Sequence, residues 1–90
     1  MNHYPHHIGD YLKDTVGLTD FEDLMYRRLL ESYYGREKGF STDEAFRLAR
    51  AVGSEEKCGA VAYVLSTYFF SDESGVWHQK RVDEEIALYH

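Results

Sequence analysis

The sequence has very little of the residues that mark secreted, linker-rich or membrane-spanning proteins. Cys58 is the single cysteine and Pro5 the single proline among 90 residues, so an intrachain disulfide is excluded and no proline-rich linker divides the chain. No apolar run is long enough for a signal peptide or a membrane span. We therefore expect one soluble, cytoplasmic domain that covers residues 1–90.

Positive charge is also scarce. The chain has 10 lysine and arginine residues against 16 aspartate and glutamate residues, which gives a net charge of −6 with neutral histidines. A domain that binds nucleic acid on its own usually carries a surplus of positive charge, because phosphate contacts supply much of the binding energy. The composition therefore predicts weak or indirect DNA binding, unless a local basic patch, a second domain or a partner supplies the missing cations.

Aromatic residues, by contrast, are abundant. They make up 16% of the chain, and eight of them are tyrosines, which argues against disorder. Tyrosine is favoured at protein interfaces because it combines a large contact area with a hydroxyl group. Two interpretations stay open: the tyrosines form the rim of the core, or some of them contact a protein partner.

The strongest helix signal lies at residues 18–34. Thr19 and Glu22 form a capping-box pattern, in which each side chain accepts a hydrogen bond from the other residue's N–H. The apolar residues that follow repeat at three- and four-residue spacing, and Gly35 is the expected end of the helix. The predicted buried face comprises Phe21, Met25, Tyr26, Leu29, Leu30, Tyr33 and Tyr34.

Two further helices are predicted on either side of a tight turn. Ser41 and Glu44 repeat the capping pattern and predict a helix to about Val52, which Gly53 ends. Ser54 caps a third helix, and two helices joined by so short a turn are typical of a helix-turn-helix. The third helix is predicted to bury Cys58, Val61, Ala62, Leu65, Tyr68 and Phe69, and to expose Glu55, Glu56, Gly59, Ala60, Tyr63, Ser66 and Thr67.

Extended segments complete the predicted architecture. Residues 69–81 predict a β-hairpin with a four-residue connection at 72–75, and helical spacing returns at residues 82–89. Residues 4–8 alternate as in an edge strand, which could pair with the hairpin as a third strand. The predicted fold is mainly α, of the α+β class: a winged-helix-like three-helix core, a small β-hairpin wing, the additional N-terminal strand and a C-terminal helix.

Several blocks of this sequence resemble one known family. The segments YPHHIGDY at residues 4–11, DT at 14–15, LT…YRRLLESYY at 18–34 and WHQKRVDEEI at 77–86 are similar to the YdaU-like domain of phage and prophage proteins. Such domains typically stand at the N-terminus of putative replication proteins and are themselves largely of unknown function. The resemblance implies a phage replication context and no catalytic residues. Family members commonly continue into further domains, so we expect either an excised domain or a short phage protein that works alone.

The charge of the third helix bears on DNA recognition. A helix-turn-helix reads the major groove with the N-terminal part of its second helix, where this sequence carries Glu55 and Glu56. Nearby cations could form a basic edge, but we prefer to interpret them as solvated charges paired with the abundant acids. The candidate nucleic-acid-binding residues are Arg47, Arg50, Lys57, and, on the predicted wing, Lys80 and Arg81.

Candidate protein-interface residues lie on the outer face of the third helix and in the hairpin turn. Acidic groups and exposed tyrosine favour protein contact over groove reading in a chain of this charge. These candidates are Glu55, Glu56, Tyr63, Thr67, Asp72 and Glu73.

No catalytic constellation is visible in the sequence. His3, His6 and His7 suggest a metal site, but neighbouring strand residues point to opposite sides and no second cluster completes a ligand set. We therefore prefer a packing or hydrogen-bonding role for these histidines. Cys58 lies in the first turn of a helix, where a thiolate is favoured, but its place in the buried stripe indicates an inert thiol. We expect no enzyme activity, no metal and no cofactor.

Three functions are compatible with these observations. The first is a non-enzymatic, replication-associated winged-helix module that acts through protein–protein contacts or self-association, with weak DNA binding of its own. Its partner would be a phage or host replication or defence component, and a homo-oligomer is expected in sedimentation. The second is a small acidic counter-defence protein, such as an anti-CRISPR inhibitor, that occupies a nucleic-acid-binding surface on a host effector. The third, a sequence-specific DNA-binding regulator, ranks last because of Glu55 and Glu56.

Overall fold

The computed structural model describes residues 16–89, and helices dominate this part of the chain. Three helices, a two-stranded antiparallel hairpin and a further helix follow one another in the predicted order. The strand predicted at residues 4–8 lies outside the described residues. No helix within residues 16–89 is both long and apolar enough to cross a membrane. The elements are α1 (Asp20–Arg36), α2 (Thr42–Leu48), α3 (Glu55–Tyr68), β1 (Phe70–Ser71), β2 (Trp77–His78) and α4 (Lys80–Tyr89).

The predicted capping box at the start of α1 is confirmed. The Thr19 hydroxyl accepts a hydrogen bond from the Glu22 N–H at 3.2 Å, and the Glu22 carboxylate accepts one from the Thr19 N–H at 3.0 Å. The end of the helix differs, because Gly35 lies inside α1 and Glu37 adopts the left-handed conformation at φ 58°. In this last turn, Arg36 forms an ion pair of 3.1 Å with Glu44 of α2.

The second helix begins as predicted but ends earlier. Ser41 and Glu44 form the expected capping box, yet α2 stops at Leu48 instead of Val52. Arg50 takes a left-handed φ of 55°, so the turn occupies residues 49–54. The Arg28 guanidinium donates to the Ala49 carbonyl at 2.8 Å and thereby satisfies a carbonyl that a longer helix would have used.

The third helix forms where predicted, but its buried face is different. Ser54 caps α3 by accepting a hydrogen bond from the Lys57 N–H at 3.2 Å. Ala60 is buried although it was predicted outside, and Ala62 is exposed although it was predicted inside. Val64 joins Val61 on the buried side. The spacing of small residues such as Ala60 and Ala62 does not show which of them is buried. The packing of α3 against α1 decides that Ala60 faces the core.

The hairpin after α3 is confirmed, with shorter strands than predicted. Phe70 lies opposite His78 and Ser71 opposite Trp77, which leaves residues 72–76 as the connection. The Asp72 N–H donates to the Val76 carbonyl at 2.9 Å. The Asp72 carboxylate in turn accepts from the N–H groups of Ser74 at 2.8 Å and Val76 at 3.0 Å. These bonds draw Val76 into the turn and lengthen the connection by one residue.

Phe40, between α1 and α2, occupies the other edge of β2. Its N–H donates to the Trp77 carbonyl at 3.2 Å, and its carbonyl accepts from the Trp77 N–H at 2.7 Å. The Phe40 ring is buried, and its centroid lies 5.9 Å from that of Tyr33 and 5.8 Å from that of Phe69. The hairpin is therefore attached to the helical core through this residue. Pairing of residues 4–8 with the hairpin stays a prediction.

The last helix begins earlier than predicted, so two candidate residues lie in this helix and not in the hairpin. The Gln79 side-chain oxygen accepts from the Val82 N–H at 3.0 Å and caps α4. Lys80 and Arg81, predicted on the wing, therefore lie in the first turn of α4. Residues 70–78, which form the hairpin, contain neither lysine nor arginine. The prediction of a basic wing is wrong for this part of the chain.

We expect Gly39→Ala to lower the free energy of unfolding by about 1–3 kcal/mol. A Cβ at Gly39 would lie 2.6 Å from Val76 Cγ1 and would also meet the Trp77 carbonyl oxygen, so the contact between Phe40 and the hairpin must shift. Gly35→Ala is the matched control. Its Cβ would have no neighbour within 4 Å inside α1, and it should stabilise by up to about 1 kcal/mol. Urea unfolding followed by circular dichroism measures both, and an undiminished stability of Gly39→Ala would contradict this packing.

Candidate functional site

Two neighbouring tyrosines of α1 bind two carboxylates of α4. The Tyr33 hydroxyl donates to Asp83 Oδ1 at 2.6 Å, and the Tyr34 hydroxyl donates to Glu85 Oε2 at 2.7 Å. Tyr33, Tyr34 and Glu85 are buried, and Asp83 is half-buried. These two hydrogen bonds join α4 to α1 and thereby to the core.

The protonation of these tyrosines is coupled to the fold. Burial raises the pKa of the Tyr33 hydroxyl above its ordinary value, and the hydrogen bond to Asp83 raises it further. The same causes act on the pKa of Tyr34, with Glu85 as the partner carboxylate. Both hydroxyls therefore remain protonated donors at neutral pH, and their role is structural.

His78 extends this network to the hairpin. Its Nε2 lies 2.8 Å from Asp72 Oδ2, and its Nδ1 lies 3.4 Å from the Tyr33 hydroxyl. The Asp72 carboxylate accepts from Nε2–H, and the Tyr33 hydroxyl already donates to Asp83, so the 3.4 Å contact between Nδ1 and the Tyr33 oxygen is a hydrogen bond only when both ring nitrogens carry a proton. The chain of contacts Asp72, His78, Tyr33 and Asp83 thus joins the hairpin turn, β2, α1 and α4.

Asp72, one of the candidate interface residues, has an internal role. Hydrogen bonding from His78, followed by bonding from the Val76 backbone, lowers the pKa of its carboxyl group. Both of its oxygens are used within the hairpin. Glu73, the neighbouring candidate, is exposed. These hydrogen bonds show that Asp72 is a residue of the hairpin turn, as its position in the predicted connection indicated.

The candidate nucleic-acid-binding residues lie on different elements. Arg47 is exposed in the last turn of α2, and Arg50 is exposed in the turn that follows. Lys57 is half-buried, with its Nζ 5.9 Å from the centroid of the Phe21 ring, a distance typical of a cation–π contact. Lys80 and Arg81 are exposed at the start of α4. Their contact with nucleic acid stays a prediction.

The exposed side of α3 has an unusual composition. We name it the α3 outer face and define it by its seven exposed residues. No charged residue occurs between Lys57 and Asp72, although charged residues make up 29% of the chain and about four would be expected in such a segment. Tyr63 is 47% exposed on this face. The residues of the α3 outer face are Glu55, Glu56, Gly59, Ala62, Tyr63, Ser66 and Thr67.

A helix face that is exposed only to water usually carries charged side chains. The α3 outer face carries them only in its first turn, at Glu55 and Glu56, and continues with small residues, hydroxyl groups and one tyrosine. Depletion of charge and the presence of an aromatic residue are two features that this face shares with the central part of protein interfaces, whereas its alanine and serine are not enriched there. Four of the candidate interface residues, Glu55, Glu56, Tyr63 and Thr67, lie on this one face.

The structure does not bring together a metal-binding group within residues 16–89. No group of three histidine, cysteine, aspartate or glutamate side chains in this range could hold a metal ion. His3, His6 and His7 lie outside the described residues. The half-buried Cys58 thiol donates to the Ala51 carbonyl at 3.3 Å, which agrees with an inert thiol. A depression of about 220 Å³ beside α4, lined by Arg81, Glu84, Glu85 and Leu88, is smaller than typical ligand pockets of about 300–1,000 Å³.

Some of these features could not be found from the sequence. The sequence predicted a helix at residues 82–89, but its spacing did not show that Asp83 and Glu85 bind the hydroxyl groups of α1. The charge-free run after Lys57 was visible in the sequence. Its significance depended on knowing that Ala62 faces outward, which the helical spacing did not predict.

Comparison with known proteins places this chain in a family. A family model described as "Protein of unknown function (DUF1376)" matches residues 2–87. No curated protein and no solved structure matches the chain significantly. The match covers nearly the whole sequence, and the chain therefore belongs to the DUF1376 family of proteins of unknown function.

Proposed function

We propose that this chain is a non-enzymatic phage or prophage domain that docks a replication protein on the α3 outer face. The phage and replication context comes from the resemblance of its sequence blocks to YdaU-like domains. The docking role comes from the chemistry of the α3 outer face. The cytoplasm, where phage replication takes place, is the proposed location.

The observation that carries the proposal is the exposed surface of α3 beyond its first turn, which carries no charged side chain. Tyr63 offers a large side chain that a partner can cover at low entropic cost. Gly59 and Ala62 leave the helix backbone accessible to a second element. When a partner covers a surface of this kind, the removal of its apolar atoms from water lowers the free energy of the complex.

Groove reading by α3 is the weaker proposal. The end of α3 that would enter a major groove carries Glu55 and Glu56, and the outer face beyond them has no cation to contact phosphate. Electrostatic attraction to the backbone supplies most non-specific affinity for DNA. The isolated chain should therefore bind duplex DNA weakly, and any contribution of Arg47, Arg50, Lys80 and Arg81 should be secondary.

Counter-defence inhibition is the second candidate function. The net charge of −6 and the exposed Glu55 and Glu56 favour it, because an acidic protein can occupy a nucleic-acid-binding surface. A protein that imitates a phosphate backbone needs carboxylates along its whole contact surface. The α3 outer face has them at one end only, so replication-associated docking remains the preferred proposal.

Ala62→Glu tests the docking face, and Ala87→Glu is its matched control. Both alanines are exposed within helices, so the substitutions should affect folding to a similar extent. We expect Ala62→Glu to abolish co-purification with initiator or helicase-loader proteins of the same phage replication module, and Ala87→Glu to retain it. A salt-dependent gel shift should show weak or no duplex binding by the wild-type chain. Nanomolar affinity for one DNA sequence, or equal behaviour of the two variants, would contradict the proposal.

A further inference from the structure

We infer that His78 is a pH-sensitive switch: its charged imidazole ring joins the hairpin to α1 and α4 through an unbroken chain of hydrogen bonds, and its neutral ring leaves that chain broken at one point. The inference goes beyond the docking role proposed for α3 and does not depend on it. It follows from the number of hydrogen atoms that the contacts of the ring require and from the groups that surround the ring.

Three polar contacts lead from the hairpin turn to α4. His78 Nε2 lies 2.8 Å from Asp72 Oδ2, and His78 Nδ1 lies 3.4 Å from the Tyr33 hydroxyl. The same hydroxyl donates to Asp83 Oδ1 at 2.6 Å. Each contact needs one hydrogen atom to be a hydrogen bond. A charged imidazole supplies two and the tyrosine hydroxyl supplies one, so all three contacts are then hydrogen bonds.

A neutral His78 ring supplies only one hydrogen atom, which is one too few. With the proton on Nε2, the ring keeps its bond to Asp72, and the lone pair of Nδ1 faces the Tyr33 oxygen. With the proton on Nδ1, the ring keeps Tyr33, and the lone pair of Nε2 faces a carboxylate. The single hydrogen atom of the Tyr33 hydroxyl goes either to Nδ1 or to Asp83 and cannot serve both. Every neutral arrangement therefore loses one of the three bonds.

The partners of the ring keep their protonation states over the pH range in which histidine ordinarily changes its charge, about pH 5 to 8. Hydrogen bonding from His78, followed by bonding from the Val76 backbone, lowers the pKa of the Asp72 carboxyl group. Burial, followed by the hydrogen bond to Asp83, raises the pKa of the Tyr33 hydroxyl. Aspartate side chains are ordinarily ionised above about pH 5. The His78 side chain is 28% exposed, so its ring exchanges protons with the solvent.

Two further elements pack against the ring. On β1, the centroid of the Phe70 ring lies 5.5 Å from that of His78. In the loop between α1 and α2, a Cβ added to Gly39 would lie 3.1 Å from His78 Cε1. Arg36, at the start of this loop, forms an ion pair with Glu44. The exposed charged residues of the loop and of the start of α4 are Glu37, Lys38, Lys80 and Arg81.

Amide hydrogen exchange of Trp77, measured by NMR on the complete 90-residue chain, tests the inference. The Trp77 N–H donates to the Phe40 carbonyl at 2.7 Å, so its protection factor reports on the attachment of the hairpin next to His78. We expect this factor, which is corrected for the intrinsic pH dependence of exchange, to fall roughly fivefold between about pH 5.5 and about pH 8, as one lost hydrogen bond predicts. A constant protection factor in the wild-type chain would overturn the inference.

His78→Gln is the first control, because its side chain is neutral at every pH. We expect the protection factor of Trp77 in this variant to be the same at both ends of the pH range. His78 is the one histidine within residues 16–89, and the variant keeps the histidines outside this range, so the comparison removes their contribution. Equal pH responses of His78→Gln and the wild-type chain would show that another group is responsible.

Asp72→Asn reverses the requirement for hydrogen atoms. The side-chain oxygen of the new amide still accepts from the N–H groups of Ser74 and Val76, and its NH₂ group donates to His78 Nε2. A neutral ring with its proton on Nδ1 then completes all three bonds, whereas a charged ring sets two donors against each other. We expect the protection factor of Trp77 in this variant to be higher at about pH 8 than at about pH 5.5.

Nitrogen-15 spectra of the His78 ring complete the test. We expect the neutral ring to carry its proton on Nδ1 in Asp72→Asn and on Nε2 in the wild-type chain, where Asp72 accepts it. Urea unfolding curves check that both variants are folded. A fall in protection with rising pH in Asp72→Asn, of the size seen in the wild-type chain, would overturn the inference even if His78→Gln failed to fold.

Discussion

Replacing Phe40 by alanine is expected to lower the free energy of unfolding by about 3–5 kcal/mol, which is a large fraction of the roughly 5–15 kcal/mol that a folded domain has. The Phe40 side chain is almost completely buried and lies against the rings of Tyr33 and Phe69. The residue also pairs with Trp77 through two backbone hydrogen bonds. Its removal leaves a cavity where the hairpin meets the helical core, so both units lose contacts at once.

Phe70→Ala is the control for this prediction. Phe70 belongs to the hairpin itself, but half of its surface is exposed, and its ring centroid lies 5.5 Å from that of His78. The substitution Phe70→Ala should lower the free energy of unfolding by well under half as much as Phe40→Ala does. Urea unfolding followed by circular dichroism and tryptophan fluorescence measures both variants, and Trp77 reports directly on the hairpin. Equal losses for the two phenylalanines would contradict the view that Phe40 is the attachment point.

Raising the pH above about 10 is expected to lower the free energy of unfolding by up to about 1.4 kcal/mol per pH unit for each of Tyr33 and Tyr34. Burial, followed by the hydrogen bonds to Asp83 and Glu85, raises the pKa of both hydroxyl groups in the folded chain. In the unfolded chain the same hydroxyls lose their protons near pH 10. The unfolded state then binds fewer protons than the folded state, so stability that is fully present below pH 10 is lost as the pH rises.

Tyrosine-to-phenylalanine variants isolate this effect. Tyr33→Phe and Tyr34→Phe each remove one titrating group. Each should make the decline of the free energy of unfolding between pH 9.5 and 11 less steep, by up to about 1.4 kcal/mol per pH unit. Tyr63→Phe is the control, since Tyr63 is 47% exposed, and it should leave the steepness unchanged. Urea unfolding at several pH values provides the measurement. The same pH dependence in all three variants would contradict the role of the buried pair.

The tyrosine–carboxylate contacts join two of the sequence blocks on which the resemblance to YdaU-like domains rests. Tyr33 and Tyr34 end the block at residues 18–34, and Asp83 and Glu85 belong to the block at residues 77–86. His78, in the second block, contacts both Tyr33 and Asp72. The polar residues of these two blocks therefore join α1, the hairpin and α4, and the α3 outer face lies outside both blocks.

Local patterns in the sequence were sufficient for most of the helix starts and for the order of the elements. The capping boxes at Thr19 and Ser41 and the cap at Ser54 depend on residues three positions apart, so each is visible without knowledge of the rest of the fold. The hairpin and the last helix were also predicted from turn residues and spacing. For the candidate site, the acidic start of α3 and the position of Tyr63 were predicted in the same way.

Only the tertiary structure decided the features that depend on distant parts of the chain. Arg28 binds the Ala49 carbonyl, just past the end of α2, from 21 residues away, and Tyr33 and Tyr34 bind carboxylates 50 and 51 residues away. No local pattern encodes such contacts, because they form only once α1 packs against the other elements. The same packing turns Ala60 inward and Ala62 outward, although the two residues are chemically identical. The amino-acid sequence thus determined where most of the helices begin, while tertiary contacts decided where α1 and α2 end and which face of α3 stays exposed.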